Sequence, residues 1–334
     1  MRYACPSRYA LLAAVGFVAS MAFPMDASAV GPRPEPLDER VTLTVGYQKV
    51  GHLAPMVLVP EELEELGVDV ELVEFARYAD ARTALLSGSL DMATVGPADL
   101  AISLSQGATN VVGLMGVGSS AKYVIGREGV TLDSWEDLAG KTVGIAPGSA
   151  VWFQFAATLT ELGIPYDSFT AVNIQGGGAN FMQALERGEV DAIVTWEPFE
   201  SIPVVEGYGY FAEGLEYSQS ESVGAELGML VATRPALEEK RDAVERFVWA
   251  YLDQQEKLSA DAEAFTAAYS QLTGLEPSIA AEASKPIALG SVVTPDQLER
   301  QAKAFAELGV IQRDVSGEIA QSWDGSLVDE AQNQ

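Results

Sequence analysis

The stretch KTVGIAPGSA, residues 141–150, joins an apolar run to a glycine and a serine. Residues 141–145 are typical of a short buried strand, and residues 149–162 predict a helix. Gly148 lets the backbone turn sharply at the junction, and Ser149 is a favoured residue for a helix N-cap. The stretch therefore predicts one strand–helix unit, in which the carboxyl end of the strand leads into the N-terminus of the helix.

The same alternation recurs on both sides of this stretch. Before it, we predict strands at 41–45, 68–75, 91–95 and 111–117, with helices at about 55–66, 79–86 and 98–105. After Gly129, we predict a short helix at 133–138, strands at 141–145, 169–174 and 190–195, and helices at 149–162, 179–187 and from 197 onward. Strands that alternate with helices predict parallel sheets with crossover connections. The chain is therefore predicted to be an α/β protein with two such blocks.

The last third of the chain is predicted to contain one strand, at 229–233, and to be helical after it. Apolar residues at helical spacing form one stripe at Val244, Phe247, Val248, Tyr251 and Leu252, and another at Leu298, Ala302, Phe305 and Leu308. Stripes of this kind face a core. We therefore expect these helices to pack against the first block.

The first 29 residues have the features of a secretory signal peptide. Positive charges at the N-terminus precede an apolar run at 11–23, and the triplet ASA at 27–29 offers a cleavage site. The run is short for a membrane span and is soon followed by Asp26, although an uncleaved N-terminal anchor is the alternative. We therefore predict export with cleavage near Ala29, followed by a flexible, proline-rich leader at 30–40.

Acidic residues dominate the charge, since 48 Asp and Glu against 20 Lys and Arg give a formal net charge of −28. A negative charge of this size argues against binding to nucleic acid or to anionic lipid. Two interpretations of the excess stay open: a cationic ligand, or solubility of solvated helix faces, for example in a salty habitat. We therefore predict no nucleic-acid partner.

Residues for nucleophilic or metal chemistry are scarce. The single cysteine, Cys5, lies in the predicted signal peptide, and His52 is the single histidine. Nucleophile–base pairs and thiolate metal sites are therefore not expected, and the sequence has no HExxH motif and no EF-hand loop. Gly176, Gly177 and Gly178 lack the lysine of a phosphate-binding loop, so we interpret them as a tight or hinge-like connection. We predict no catalytic residues, no metal site and no cofactor, and hence a protein that is not an enzyme.

Candidate binding residues lie where the predicted strands end. Ligands of open α/β sheets bind at these carboxyl ends, where loops lead into helix N-termini. Glycines there let the backbone approach a ligand, free N–H groups favour an anion, and aromatic rings wall a pocket. The candidates are Tyr47, Gln48, His52, Gly96, Pro97, Ser149, Ala150, Trp152, Trp196 and Glu197.

Several of these candidates have a purely structural alternative. Ser149 serves equally well as an N-cap without touching a ligand. Trp196 is suited to the core of a lobe as well as to a pocket wall. His52 has no partner cluster, so a satisfied or exposed histidine is the alternative to a ligand contact. The sequence leaves these alternatives open.

Three motifs, in this order, resemble those of the nitrate/sulfonate/taurine (NMT1-like) family of periplasmic solute-binding proteins of ABC importers. DLAGKTVGIAPGS at 137–149 is similar to the family pattern D-L-x-G-K-x-V-x-x-x-x-G-S. ALLSGSLD at 84–91 with GP at 96–97 resembles A-L-x-x-G-x-x-D…G. ALERGEVDA at 184–192 with WEP at 196–198 resembles A-x-x-x-G-x-V-D-A…W-x-P. Each motif alone is weak, whereas the ordered set covers roughly residues 41 to 235.

The resemblance implies an α/β fold of the two-lobed periplasmic-binding-protein type II, which closes on its ligand about a hinge. Lobe one would comprise residues 41–126 and 225–334, and lobe two residues 127–224. It implies a periplasmic monomer that captures a small ligand, such as taurine or another sulfonate, for an ABC permease in the inner membrane. Ligand contacts of the family would fall on Gln48, Gly96, Pro97, Ser149, Ala150, Trp196 and Glu197.

The motifs leave the ligand itself open. A thiamine or riboflavin precursor, an amine or an inorganic anion is the alternative to a sulfonate, and a periplasmic ligand sensor is the alternative to a transport component. Glu197 departs from sulfonate binders of the family and favours a zwitterion such as an aminosulfonate, because a partly buried carboxylate needs a donor. Its alternative role is that of an acid at a helix N-terminus. An enzyme of the thiamine-pyrimidine synthase type would need a cysteine-rich motif that this sequence lacks.

Overall fold

Two β-sheets form the framework of the protein in this computed structural model, which describes residues 30–290 and 293–333. The predicted signal peptide, with its cleavage site near Ala29, lies outside the described residues. In chain order, the strands are β1 (Val41–Tyr47), β2 (Val68–Glu74), β3 (Met92–Val95), β4 (Val111–Ser120), β5 (Tyr123–Arg127), β6 (Thr142–Ile145), β7 (Thr170–Asn173), β8 (Ala192–Ile193), β9 (Gly209–Glu216), β10 (Glu226–Thr233) and β11 (Ile287–Ala288).

Both sheets combine parallel strands with antiparallel ones. The first has the strand order β11-β4-β10-β3-β1-β2, and the second has the order β7-β6-β8-β5-β9. Strand β1 pairs in parallel with β2 and β3, and β6 pairs in parallel with β7 and β8. Strand β10 runs antiparallel to β3 and β4, and β5 runs antiparallel to β8 and β9. The antiparallel strands β5 and β10 lie next to the points where the chain passes between the sheets.

Helices cover the sheets, and none in the described residues is long and apolar enough to cross a membrane. They are α1 (Val59–Glu65), α2 (Tyr78–Leu86), α3 (Pro97–Ser105), α4 (Ala150–Leu162), α5 (Gly178–Glu186), α6 (Ser201–Glu206), α7 (Arg234–Glu239), α8 (Arg241–Ala260), α9 (Ala262–Thr273), α10 (Pro277–Ser284), α11 (Pro295–Glu307) and α12 (Ser326–Asn333). The helix predicted at 55–66 is divided into a 3-10 helix at Gly51–Val57 and α1. Pro55 has no N–H for an α-helical bond, which favours this division.

The sequence did not predict strands β5 and β9 of the second sheet. Both contain glycine, which is normally disfavoured inside a strand. The structure gives the reason for two of these glycines. A Cβ atom on Gly126 would come within 2.6 Å of the Tyr210 ring, and one on Gly214 would overlap the carbonyl group of Asp133. Close approach of neighbouring groups, rather than a turn, therefore explains glycine at these positions.

Helix α8 packs against the first sheet through the stripe that its sequence predicted. The fully buried residues of this stripe are Val244, Phe247, Val248 and Tyr251. Full burial of such side chains contributes about 1.5–3 kcal/mol each. In the stripe of α11, Leu298, Ala302 and Phe305 are buried in a core that includes α3, whereas Leu308 follows the end of the helix and is only partly buried. The C-terminal helices therefore support the first sheet and fix the ends of its strands.

Residues 30–40, predicted to be a flexible leader, lie against the first sheet and its helices. The Gly31 N–H donates to the Ala331 carbonyl at 2.9 Å, and the Trp249 indole N–H donates to the Gly31 carbonyl at 3.0 Å. The Leu37 N–H donates to the Leu66 carbonyl at 2.9 Å. In the structure, these bonds hold the segment in place.

The chain passes between the sheets twice, from β4 to β5 and from β9 to β10. Lys122 lies in the first crossing and Tyr217 begins the second, and the Tyr217 N–H donates to the Lys122 carbonyl at 2.9 Å. The two crossings are therefore joined side by side, as a two-segment hinge requires. The lobe boundaries at residues 126 and 225 stay predictions.

Candidate ligand-binding site

A cavity of about 150 Å³ is lined by residues of both sheets. Its walls come from the segments that follow β1, β2 and β3 in the first sheet and β6, β7 and β8 in the second. Six of the ten residues predicted from strand ends line it, namely Gln48, His52, Gly96, Ser149, Ala150 and Trp196. The carboxyl ends of strands from the two sheets thus converge on one cavity.

Two helix N-termini meet at this cavity. Gly96 is the N-cap of α3 and Ser149 is the N-cap of α4, and a Cβ atom on Gly96 would lie 3.9 Å from the Cβ atom of Ala150. The Ser149 hydroxyl oxygen accepts from the backbone N–H of Trp152 at 3.3 Å. Ser149 is therefore an N-cap that also lines the cavity. Helix N-termini present free N–H groups and the positive end of the helix dipole. This part of the cavity is therefore suited to an anion.

Gln48 adds a buried hydrogen-bond donor to the cavity wall. Gln48 is only 3% exposed, and its Oε1 accepts from the Thr94 hydroxyl at 2.8 Å. Its Nε2 has no hydrogen-bond partner among the described residues. An unsatisfied buried donor costs about 1–3 kcal/mol. A ligand with an acceptor oxygen would remove that cost.

His52 contributes a neutral ring to the cavity. Its Nε2 lies 2.5 Å from the hydroxyl of Tyr78, which also lines the cavity. Burial, and after it the positive charge of Lys122, lowers the pKa of His52 to about 3. The imidazole is therefore uncharged at neutral pH, and His52 supplies no positive charge for an anion.

Three of the predicted residues lie outside the cavity wall. Tyr47 precedes Gln48 on the chain, and successive strand side chains point to opposite faces, so its ring packs at the edge of the first core. Pro97 is the first residue of α3 and is buried. Trp152 donates its indole N–H to the Tyr166 hydroxyl at 2.9 Å. The structure does not bring these side chains to the other candidates.

Glu197 also lies outside the cavity wall. It is 3% exposed, and its carboxylate accepts from the Ser201 hydroxyl at 2.8 Å and from the Ser201 N–H at 3.1 Å. Ser201 begins α6, so the carboxylate occupies a helix N-terminus, which is one of the two roles that the sequence left open. Its neighbour Trp196 does line the cavity and packs edge-on against Phe199.

Glu197 belongs to a buried group of ionisable side chains that the sequence did not predict. We call Lys122, Glu197, Glu200 and Tyr217 the crossing cluster. Lys122 is fully buried, and its Nζ lies 2.9 Å from Oε2 of Glu200. The Tyr217 hydroxyl lies 3.4 Å from Oε1 of Glu200. Burial raises the pKa of both carboxyl groups, and the nearby Glu200 contributes to raising the pKa of Glu197 to about 8.

Five further polar residues line the cavity and were not predicted, namely Arg77, Tyr78, Asp99, Asn173 and Gln175. Arg77 follows β2 and Asn173 ends β7, so the same reasoning from strand ends applied to both. That reasoning does not apply to Asp99, because it lies inside α3 and not directly after a strand. Its Oδ2 accepts from the Gly96 N–H at 2.8 Å, and its Oδ1 accepts from the Arg82 guanidinium.

The NMT1/THI5-like family model matches residues 63–263, which is more than half of this 334-residue chain. The chain belongs to the NMT1/THI5-like family. Among curated proteins similar to it, the taurine-binding periplasmic protein of Escherichia coli (strain K12) is 26% identical over 265 residues, which cover 77% of this chain and 74% of that protein. The family predicted from the three motifs is thus confirmed.

Solved structures confirm the predicted two-lobed periplasmic-binding-protein fold. The alkanesulfonate-binding protein of Xanthomonas axonopodis pv. citri, bound to MOPS, is 19% identical with a TM-score of 0.71, over 86% of this chain and 99% of that chain. The periplasmic nitrate-binding protein of Synechocystis PCC 6803 is 15% identical with a TM-score of 0.72, over 89% of each chain. These relatives are solute-binding proteins by name, and at such identities the likeness concerns the fold.

Gly178 supports the cavity wall from behind. A Cβ atom there would overlap the ring of Phe199, which packs against Trp196. We expect Gly178→Ala to lower the free energy of unfolding by about 1–3 kcal/mol, because the ring has to move. Gly177→Ala is the matched control, since a Cβ atom there meets no atom within 4 Å. Urea unfolding of both variants tests this, and equal losses at the two positions would contradict it.

Proposed function

We propose that the protein is the periplasmic solute-binding component of an ABC importer and that it captures a small organic sulfonate, such as taurine or another sulfonate. The observation that carries this proposal is the unpartnered Nε2 of Gln48 in a cavity where two helix N-termini meet. A sulfonate offers three acceptor oxygens and one negative charge to these groups. The names of the relatives support the same ligand class.

Binding by closure of the two lobes accounts for a cavity lined from both sheets. A ligand held by Gln48 on the first sheet and by the N-terminus of α4 on the second would bridge the lobes. Its binding energy would then favour the closed arrangement, because a ligand shifts an equilibrium toward the state that it binds better. The permease of the inner membrane would recognise this closed form, and a membrane receptor would do so if the protein were a sensor.

A binding role also fits the side chains of the cavity better than catalysis does. His52 is neutral and bonded to Tyr78, and Asp99 is paired with Arg82. In the described residues, no group of three or more His, Cys, Asp or Glu side chains is arranged to hold a metal ion. The exported, periplasmic location is proposed from the N-terminal sequence and from the names of the relatives.

Thermal unfolding in the presence of candidate ligands tests the proposed function. The panel comprises taurine, other alkanesulfonates, nitrate, bicarbonate, and thiamine and riboflavin precursors. A ligand at 100 times its dissociation constant stabilises the native state by about 2.7 kcal/mol, so a true ligand raises the midpoint clearly. We expect sulfonates to do so. A shift with a vitamin precursor or an inorganic anion, and with no sulfonate, would overturn the proposal.

Trp196→Ala is expected to weaken sulfonate binding about tenfold or more, because the ring forms part of the cavity wall and excludes water from it. Trp152→Ala is the matched control, since its indole bonds to Tyr166 outside the wall. Titration calorimetry with the best sulfonate of the panel measures both. If Trp152→Ala weakens binding more than Trp196→Ala, the cavity described above is not the binding site.

A further inference from the structure

We infer that the cavity selects sulfonates that carry no ammonium group, so that taurine binds more weakly than sulfonates of the same length whose terminal group is uncharged. This inference rests on the proposed function and narrows its ligand class. It depends on which charged groups of the cavity are free and which are already paired.

The acidic side chain in the cavity wall already has an oppositely charged partner in the protein. Asp99 is the one carboxylate among the described residues that line the cavity. Both of its oxygens are engaged, Oδ1 by the Arg82 guanidinium and Oδ2 by the Gly96 N–H. The Asp99 side chain is 7% exposed and that of Arg82 is 17% exposed, so this is a largely buried ion pair. A ligand ammonium would have to share this carboxylate with the Arg82 cation, which already balances its charge.

Glu197, the acid that the sequence singled out for an ammonium, is also engaged elsewhere. Both of its carboxylate oxygens accept from Ser201, and it is absent from the cavity wall. Burial together with the neighbouring Glu200 raises its pKa. A protonated carboxylic acid has no charge with which to attract an ammonium group.

Unpaired donors of the wall favour an anion. Nε2 of Gln48 is a donor, and the N-terminus of α4 presents N–H groups, whereas α3 begins with Pro97 and its Gly96 N–H is bonded to Asp99. The other charged residue of the wall, Arg77, is a cation whose guanidinium is already paired with Asp80. Transfer of an ammonium group from water into such surroundings is unfavourable unless a counter-charge is present. A hydroxyl or methyl group in the same place carries no such requirement.

The test compares three ligands with matched length on the intact protein by titration calorimetry: taurine, isethionate and propane-1-sulfonate. They differ in the terminal group, which is ammonium, hydroxyl or methyl. We expect isethionate or propane-1-sulfonate to bind about tenfold or more tightly than taurine. Taurine binding equal to or tighter than both would overturn the inference and leave the sulfonate function standing. No binding of any of the three would overturn the proposed function, and the inference with it.

Gln48→Glu replaces the free amide donor of the cavity wall by a carboxylate at almost constant volume. Its retained oxygen can still accept from Thr94, while the second oxygen replaces the free donor. We expect isethionate affinity to fall at least about tenfold and taurine to bind more tightly than isethionate. Gln183→Glu is the control, because Gln183 is an exposed residue of α5 outside the cavity wall and the substitution adds the same charge. An unchanged ligand order in Gln48→Glu, in a variant that unfolds cooperatively, would contradict the role of Gln48 in this selection.

Discussion

Lys122→Met is expected to lower the free energy of unfolding by about 3–5 kcal/mol, the largest loss that we predict for a single substitution. Lys122 is fully buried, and its ammonium group lies 2.9 Å from Oε2 of Glu200, which is also buried. Removal of one partner of a buried ion pair leaves the other as an uncompensated charge. Urea unfolding near neutral pH, analysed by linear extrapolation, measures the loss.

Two further variants separate this effect from a general intolerance of substitution. Lys285→Met breaks an exposed pair with Glu282, whose side chains are 66% and 48% exposed, and should change stability by at most about 1 kcal/mol. Adding Glu200→Gln to Lys122→Met removes the orphaned carboxylate and should restore much of the loss. If the double variant is less stable than Lys122→Met alone, the loss does not arise from an unpaired charge.

The location of Lys122 gives this ion pair a functional meaning. It lies in the first crossing between the sheets, while Glu200 follows Trp196 of the cavity wall by four residues. The Tyr217 N–H, in the second crossing, donates to the Lys122 carbonyl. The crossing cluster therefore joins both connections between the lobes to the segment that carries part of the binding site.

Sequence reasoning identified strand ends reliably because local pattern and topology agree there. Gln48, Gly96 and Ser149 each follow a strand with clear apolar character, and the ends of parallel strands meet at one edge. The two glycine-containing strands were missed, since close packing of a neighbour decides them. The division of residues 55–66 has a local cause in Pro55, which the apolar pattern does not reveal. A Cβ atom on Gly126 meets a ring that is 84 residues away in the chain.

The sequence also could not predict the direction in which a side chain points. Trp152 and Trp196 both follow strand ends, yet one bonds to Tyr166 and the other lines the cavity. For the same reason the sequence left two roles open for Glu197, a contact to a ligand ammonium and an acid at a helix N-terminus, and in the structure its carboxylate accepts from Ser201. Spacing along the chain gives the neighbourhood of a residue, whereas the rotamer depends on partners that only the fold brings near.

Glu197→Gln is expected to make the protein progressively more stable, relative to the unchanged protein, as the pH rises from about 5 to about 8. The ordinary pKa of the carboxyl group is 4.5, and burial beside Glu200 raises the pKa of Glu197 to about 8. Between these values the folded state holds a proton that the unfolded state has released, so stability falls as pH rises. Glutamine keeps an acceptor for Ser201 but does not titrate.

Free energies of unfolding of the two proteins, measured by urea at intervals from pH 5 to pH 8, give the difference directly. Each pKa unit between folded and unfolded states corresponds to about 1.4 kcal/mol, which makes the trend measurable. Titration of His52 occurs in both proteins and cancels in the difference. A constant difference across this range would show that Glu197 does not retain its proton in the folded state.

Glu161→Gln provides a contrast of opposite sign. Burial alone would raise the pKa of Glu161, but hydrogen bonds from Ser222 and Ser220 together outweigh it and lower the pKa. Its contribution to stability is therefore present above the ordinary carboxyl pKa and is lost as the pH falls below it. The pH dependence thus distinguishes a carboxylate that is stabilised by donors at the surface from one that is buried beside a second acid in the crossing cluster. Between pH 5 and pH 8 we therefore expect a constant difference for Glu161→Gln beside a rising one for Glu197→Gln, and a rising difference for both variants would contradict this assignment.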